Sequence, residues 1–171
     1  MTIGEAIKTA IAYENKVHDT YVDAARRAKD ETAQKVFRTL AQEEMGHIAY
    51  LESRLSEWKR TARLSPEKLG TVLPSAERVQ AGVARLRAQV APQNDGHSSE
   101  LKSLRQALAA EDEAASFYQQ MVRELPAEGR ELFSRFLEIE DGHAAIVQAE
   151  IDSVNRLGYW FDLKEFDLEA E

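Results

Sequence analysis

Phe37-Arg38-Thr39-Leu40-Ala41-Gln42-Glu43-Glu44-Met45-Gly46-His47-Ile48-Ala49-Tyr50-Leu51 is the stretch on which the reading of this chain turns. Phe37, Leu40, Glu44, His47, Leu51, Leu55 and Trp58 recur every three or four residues, the spacing of a helical stripe that faces a core. Glu44 and His47 lie inside that stripe. Three positions apart on a helix, they project from nearly the same face and offer a carboxylate oxygen and an imidazole nitrogen to one point. An ionised carboxylate buried without a partner costs several kcal/mol or takes up a proton, so this position demands a compensating charge. The pattern returns in Phe133, Phe136, Glu140, His143, Val147, Ile151 and Val154, around Glu140-Asp141-Gly142-His143.

Working outward, Ile7, Ile11, Glu14, Val17, Tyr21 and Ala25 mark a helix from Thr2 to about Lys29, and Thr2-Ile3-Gly4-Glu5 fits a capping box. Asp30-Glu31-Thr32 breaks the pattern, with Asp30 or Thr32 as the cap of a second helix that runs to about Arg60. Leu101, Leu104, Leu108, Glu111, Tyr118 and Leu125 mark a third, from about Ser99 to Glu124. A fourth follows the turn Pro126-Ala127-Glu128-Gly129 and stops at Gly158. Between the second and third, residues 61–98 are punctuated by Pro66, Gly70, Pro74, Pro92 and Gly96. Val79, Val83, Leu86 and Val90 predict one short helix there. Short connections make antiparallel neighbours, and the long one reads as a crossover between two hairpins. The expected fold is all-α, an antiparallel four-helix bundle over residues 1–158 with a short helix in its crossover. The tail 159–171 opens on Tyr159-Trp160-Phe161 and packs on the bundle or on another subunit.

The hairpins repeat. Glu44 to Glu140 and His47 to His143 each span 96 positions and Glu14 to Glu111 spans 97, while Tyr21 and Tyr118 each follow their glutamate by seven. Within each hairpin the two glutamates are about equally far from the turn, roughly 21 to 24 Å at 1.5 Å per residue. Four carboxylates and two imidazoles therefore meet at one level. Four negative charges are neutralised by two divalent cations and repel strongly without them. Glu14 and Glu111 read as terminal ligands, Glu44 and Glu140 as bridges, and His47 and His143 as one nitrogen ligand to each ion. Oxygen and nitrogen donors without sulfur suit iron or manganese.

Composition excludes several alternatives. There is no cysteine, hence no disulfide, thiolate cluster or thiol nucleophile. A net charge of −8 and a pI near 5.1 argue against nucleic-acid binding. No apolar run is long enough for a membrane span, and the N-terminus does not resemble a signal peptide, so a cytoplasmic protein is expected.

Other polar residues carry plainer readings. His18 is a half-exposed or supporting residue rather than a ligand, and His97 a loop residue. Tyr21 and Tyr118 either hydrogen-bond a ligating carboxylate or simply pack in the core. Glu43, Glu113 and Asp141 read as solvated charges, and Met45 as a bystander with no haem to bind.

Ala12-Tyr13-Glu14, the two Glu-x-x-His pairs, Glu111 and the long crossover together resemble the ferritin-like superfamily, closest to its rubrerythrin branch, over residues 2–158. That resemblance implies a di-iron carboxylate oxidoreductase that oxidises a bound Fe(II) pair with hydrogen peroxide or O2, for peroxide removal or iron handling. Two departures qualify it. Without the four cysteines of a rubredoxin domain, electrons for a peroxidase cycle have to come from a separate protein. Where rubrerythrins carry a second glutamate three residues after the third-helix ligand, this chain has Ala114, which makes the set more similar to the symmetric ferroxidase site of bacterioferritins. The alternatives are therefore a ferroxidase that feeds iron storage in a cage or compartment, or a dimanganese catalase-like protein. A homodimer is expected.

Overall fold

The computed structural model describes residues 1–65, 67–87, 98–158 and 160–161. The chain is all-α: the described residues form five helices, α1 (Ile3–Arg27), α2 (Glu31–Thr61), α3 (Ala76–Arg87), α4 (Ser98–Glu124) and α5 (Ala127–Leu157). Their ends follow from local chemistry. Thr2 accepts the Glu5 N–H at 3.2 Å while the Glu5 carboxylate accepts the Thr2 N–H at 2.8 Å, the reciprocal capping box read from sequence. Asp30, not Thr32, caps α2, its carboxylate accepting the Ala33 N–H at 2.9 Å. At the other end of α2, Ala62 adopts the left-handed conformation with φ 53°, a position that favours glycine. Gly158 takes the same role after α5, with φ 72°.

α5 starts earlier than its turn-like sequence implies. Pro126 stands at the cap, and Ala127, Glu128 and Gly129 already belong to the helix. Proline's fixed φ and missing N–H suit a helix start, where the N–H has no intrahelical partner. Gly129 is there for space, since a Cβ would come within 2.9 Å of Leu125 Cδ1 and 3.1 Å of Ile3 Cγ1.

Side-chain contacts give the helix directions. Gly4 meets Trp58, Glu14 meets His47 and Tyr21 meets Phe37, so α1 and α2 run oppositely. Tyr13–Phe117, Lys16–Glu113 and Tyr21–Glu111 give the same result for α1 and α4, as Tyr118–Phe133 and His143–Glu111 do for α4 and α5. The predicted stripes of these four helices are buried, with Ile11, Leu55, Trp58, Leu101 and Leu108 half-covered at the margins. Burying each large side chain contributes about 1.5–3 kcal/mol. α3 lies on α5 with Val79 and Val83 buried. Val90 and His97 fall outside the described residues.

Between α2 and α3 the chain is tied down as a strap. Tyr50 donates its hydroxyl to the Glu67 carbonyl at 2.7 Å, Arg135 Nε donates to the Leu69 carbonyl at 3.0 Å, and Thr71 donates to Glu43 at 2.6 Å. Buried Arg54 pairs with Glu57 at 3.0 Å and Glu67 at 2.9 Å. Further on, Gly142 lies under the Pro74 carbonyl, which a Cβ would meet at 3.0 Å. The aromatic start of the tail packs on these helices: Trp160 is buried against Phe37 with ring centres 5.4 Å apart, and the Phe161 N–H donates to Glu150 at 3.0 Å. The packed unit therefore extends past the expected boundary at 158. No helix among the described residues is long and apolar enough to cross a membrane.

Candidate metal centre

All six residues singled out in the sequence converge. Glu14 comes from α1, Glu44 and His47 from α2, Glu111 from α4, and Glu140 and His143 from α5, each 0–1% exposed. They fall into two sets, Glu14, Glu44, His47, Glu140 and Glu44, Glu111, Glu140, His143, in each of which one oxygen or nitrogen per residue lies within 4.8 Å of all the others. Glu44 and Glu140 belong to both. The oxygens of each are divided between the imidazoles: Glu44 Oε2 is 3.1 Å from His47 Nδ1 and its Oε1 2.8 Å from His143 Nδ1. Glu140 Oε1 is 3.3 Å from His47 Nδ1 and its Oε2 3.6 Å from His143 Nδ1. Glu14 faces only His47, at 2.9 Å, and Glu111 only His143, at 3.8 Å. The imidazole planes are stacked, 5° from parallel with centres 5.3 Å apart.

Most of these atoms satisfy no hydrogen bond. Both oxygens of Glu44 and of Glu140, Glu111 Oε2, His47 Nε2 and both nitrogens of His143 are buried without a hydrogen-bond partner. His143 Nδ1 and Glu44 Oε1, only 2.8 Å apart, are so aligned that neither satisfies the other. Buried polar atoms are normally paired, and leaving one unpaired costs about 1–3 kcal/mol. Short contacts between misaligned donors and acceptors suit groups arranged around a common point. The donor set, mixed carboxylate and imidazole in a dry core, fits a cation.

The two tyrosines resolve the open choice between packing and hydrogen bonding. Tyr118 donates to Glu14 Oε1 and Tyr21 to Glu111 Oε1. Each tyrosine serves the glutamate of the opposite hairpin, because seven residues along its own helix put its own glutamate roughly 10 Å away. Glu14 thus has Oε1 engaged by a phenol and Oε2 turned to His47, whereas Glu111 Oε1 accepts from Tyr21 and is also the oxygen 3.8 Å from His143, leaving Oε2 buried without a partner. Phe136 closes the cluster on one side, its ring 5.5 Å from His47, and Tyr118 stacks on Phe133 at 5.6 Å.

Electrostatics show how the cluster is tolerated without a cation. Burial, then the charge of Glu44, pushes Glu14 up to about 8, and burial with Glu14 and Glu44 pushes Glu140 up to about 8. Burial and the charges of Glu140 and Glu44 raise Glu111 well above the carboxylate range. For Glu44 burial alone would act upward, but His143 and His47 together outweigh it and hold the group below the usual range. Burial opposes a charge on His47, yet the hydrogen bond to Glu14 and the close carboxylates of Glu140 and Glu44 lift it well above an ordinary imidazole. Protons on these groups stand in for positive charge.

The remaining polar residues divide. His18 is half-buried beside Asp19 at 3.1 Å and joins neither set, Glu113 is exposed and paired with Lys16, and Asp141 is exposed. Met45 is 52% exposed. Glu43 differs from the reading as a solvated charge. It is half-buried under Thr71, with a carboxylate oxygen within 4.8 Å of a ring nitrogen of both His47 and His143. Helical spacing puts it off the stripe, and the strap that covers it has no periodicity to signal the contact. These buried glutamate and histidine groups can hold a metal ion. Comparison of the chain with protein families, with curated proteins and with solved structures gives no match.

Proposed function

We propose that this protein is a dinuclear carboxylate protein: a four-helix bundle of α1, α2, α4 and α5, with α3 in the crossover, that binds two divalent ions in its core. Within that class we place it in the ferritin-like superfamily, as a rubrerythrin-type oxidoreductase without a rubredoxin domain that uses an iron pair against hydrogen peroxide or O2. The observation that carries this reading is the sharing of Glu44 and Glu140 between two otherwise separate donor sets, each carboxylate presenting one oxygen toward each imidazole. A single ion would not use both oxygens of both residues in that way. The helix directions support the fold, since α2 and α4 point the same way and a chain linking them has to travel the length of the bundle.

An iron pair, when bound, supplies the electrons that reduce the oxidant. The chain's residues supply everything else. Glu14 and Glu111 would each give one oxygen to one ion, the other oxygen being fixed by Tyr118 or Tyr21. Glu44 and Glu140 would span the pair, and His47 and His143 would give one nitrogen apiece. Phe133, Phe136 and Tyr118 exclude bulk water from one side. The two phenols, held well above their ordinary range by burial and by the facing glutamates, keep their protons and remain donors throughout.

A second reading, ferroxidase, is favoured by the near-symmetry of the two sets and by Ala114, a buried apolar residue where a fifth carboxylate would add asymmetry. Metal analysis after native purification, with an optical spectrum before and after peroxide, tests the proposal. Two irons per chain with a new absorption on oxidation are expected, and less than one equivalent of any transition metal overturns it. Two manganese ions instead would identify the catalase-like alternative. Stopped-flow mixing with peroxide and with O2 then separates the two iron readings: faster reaction with peroxide marks a peroxidase, and faster reaction with O2 by a large cage marks a ferroxidase.

A further inference from the structure

The six ligands are all but sealed from solvent, so an ion needs a way in. A cleft of about 440 Å³ has a candidate ligand on its wall: His143, reached between the strap at Thr71, Leu73 and Pro74 and the α5 residues Glu138 and Asp141. Glu43 lies on that side of the centre. Its carboxylate accepts from Thr71, a residue of the cleft wall, and one of its oxygens lies within 4.8 Å of a ring nitrogen of His47 and one of His143. Nε2 of both rings is buried and has no hydrogen-bond partner. Glu43, His47 and His143 therefore make a third donor set, distinct from the two in the centre yet sharing an imidazole with each.

We infer that Glu43, with His47 and His143, is an uptake site where a divalent cation is first held on its way from the cleft to the centre, an inference that rests on the dinuclear reading above. Three features fit transit rather than residence. Glu43 is only half-buried, so it exchanges with solvent where the six ligands do not. One carboxylate and two imidazoles carry too little negative charge to match a divalent ion, which keeps binding there weak. The imidazoles are common to both locations, so an ion held there already lies beside the centre, and the four inner carboxylates then outbid the one outer carboxylate. The hydroxyl of Thr71, a residue of the cleft wall, holds the Glu43 carboxylate beneath the strap.

Cobalt(II) uptake by the full chain, stripped of metal, tests this without any redox chemistry. Bound Co(II) is followed by its visible absorption after stopped-flow mixing, and the final stoichiometry by equilibrium titration. Glu43→Gln keeps the shape and the hydrogen bond from Thr71 but loses the charge. It should fill the same two sites at least about tenfold more slowly, the scale on which one sign of charge in a cleft speeds association. Glu43→Asp, which restores the charge on a shorter arm, should recover part of the rate. Equal uptake rates for wild type and Glu43→Gln overturn the inference, and so does a Glu43→Gln protein that binds fewer than two ions at saturation, because Glu43 would then belong to the resting centre. Failure of the wild type itself to bind two Co(II) ions would instead sink the dinuclear reading.

Discussion

Stripping the metal and raising the pH should destabilise this protein, and the geometry of the centre sets the size of the effect. Burial and the neighbouring carboxylates push Glu14 and Glu140 up to about 8 from the ordinary 4.5. A carboxyl raised in the folded state holds its proton between those two limits while the unfolded chain has lost it. The folded state therefore binds more protons, and stability falls as pH rises through that window. His47, lifted by its three carboxylate neighbours, acts in the same direction above its unfolded value. Glu44, held low, is ionised in both states throughout and adds no slope there. At 1.36 kcal/mol per pH unit, a change from pH 5 to pH 7 removes about 2 to 3 kcal/mol for each fully raised carboxyl, or about 5 to 10 °C in Tm for a chain of this size. Cations displace those protons, so saturating Mn(II) or Co(II) should add stability most at pH 7 to 8, by about 2.7 kcal/mol per bound ion at a hundredfold excess over Kd. Thermal unfolding from pH 5 to 8, with chelator and with metal, measures both arms, and Glu140→Gln should flatten the chelated one. A chelated Tm that rises over pH 5 to 7, or an equal slope in Glu140→Gln, would refute the reasoning.

Removing one imidazole should cost one ion: His143→Ala is expected to bind about one Co(II) per chain, the set around His47 keeping its four donors, as counted by equilibrium titration. Tyr118→Phe deletes the donor to Glu14 while keeping the ring stack on Phe133, and should weaken metal affinity by about 10- to 100-fold with little loss of fold, read by competition with a chelator of known affinity. The two motif glycines should behave oppositely. Gly46→Ala, in open space on α2, should raise stability by about 0.5–1 kcal/mol, whereas Gly142→Ala meets the Pro74 carbonyl and should lower it, both read from urea unfolding. Ala62→Gly should relieve a left-handed alanine and stabilise by about 1 kcal/mol on the same assay.

The residues legible from sequence are those whose position follows from the period of one helix. Glu44, His47, Glu140 and His143 lie in apolar stripes, so their burial could be read directly, and the Glu14 and Glu111 repeat placed the other two helices against them. Illegible features depend on contacts between segments that carry no common period. Tyr21 and Tyr118 could be matched to a glutamate, but only the α1–α4 register shows that each serves the other hairpin. Glu43 sits one residue off its stripe and would face water if the strap did not carry Thr71 over it. Pro126 through Gly129 reads as a turn because proline and glycine usually make one. Here the proline starts α5, and the glycine is required by Leu125 and Ile3, a packing demand that composition does not reveal.

The way the centre is assembled explains why a cluster so costly to bury has a use. α1 and α2 bring Glu14, Glu44 and His47, but the set around His47 also needs Glu140 from α5. α4 and α5 bring Glu111, Glu140 and His143, but the set around His143 needs Glu44 from α2. The tyrosines cross in the same sense, Tyr118 reaching Glu14 and Tyr21 reaching Glu111. Neither hairpin therefore holds a complete site, and docking the two creates both sets together. An apolar core of the same volume would be at least as stable, since replacing buried charges with packed hydrophobic residues is often neutral or stabilising. What such a core would lack is an interior whose stability answers to cations. On the dinuclear reading proposed above, the closing of the helices, the loss of protons from Glu14 and Glu140 and the filling of the centre would become one linked equilibrium, so the side chains that make the metal-free protein pH-sensitive would be those that bind the metal.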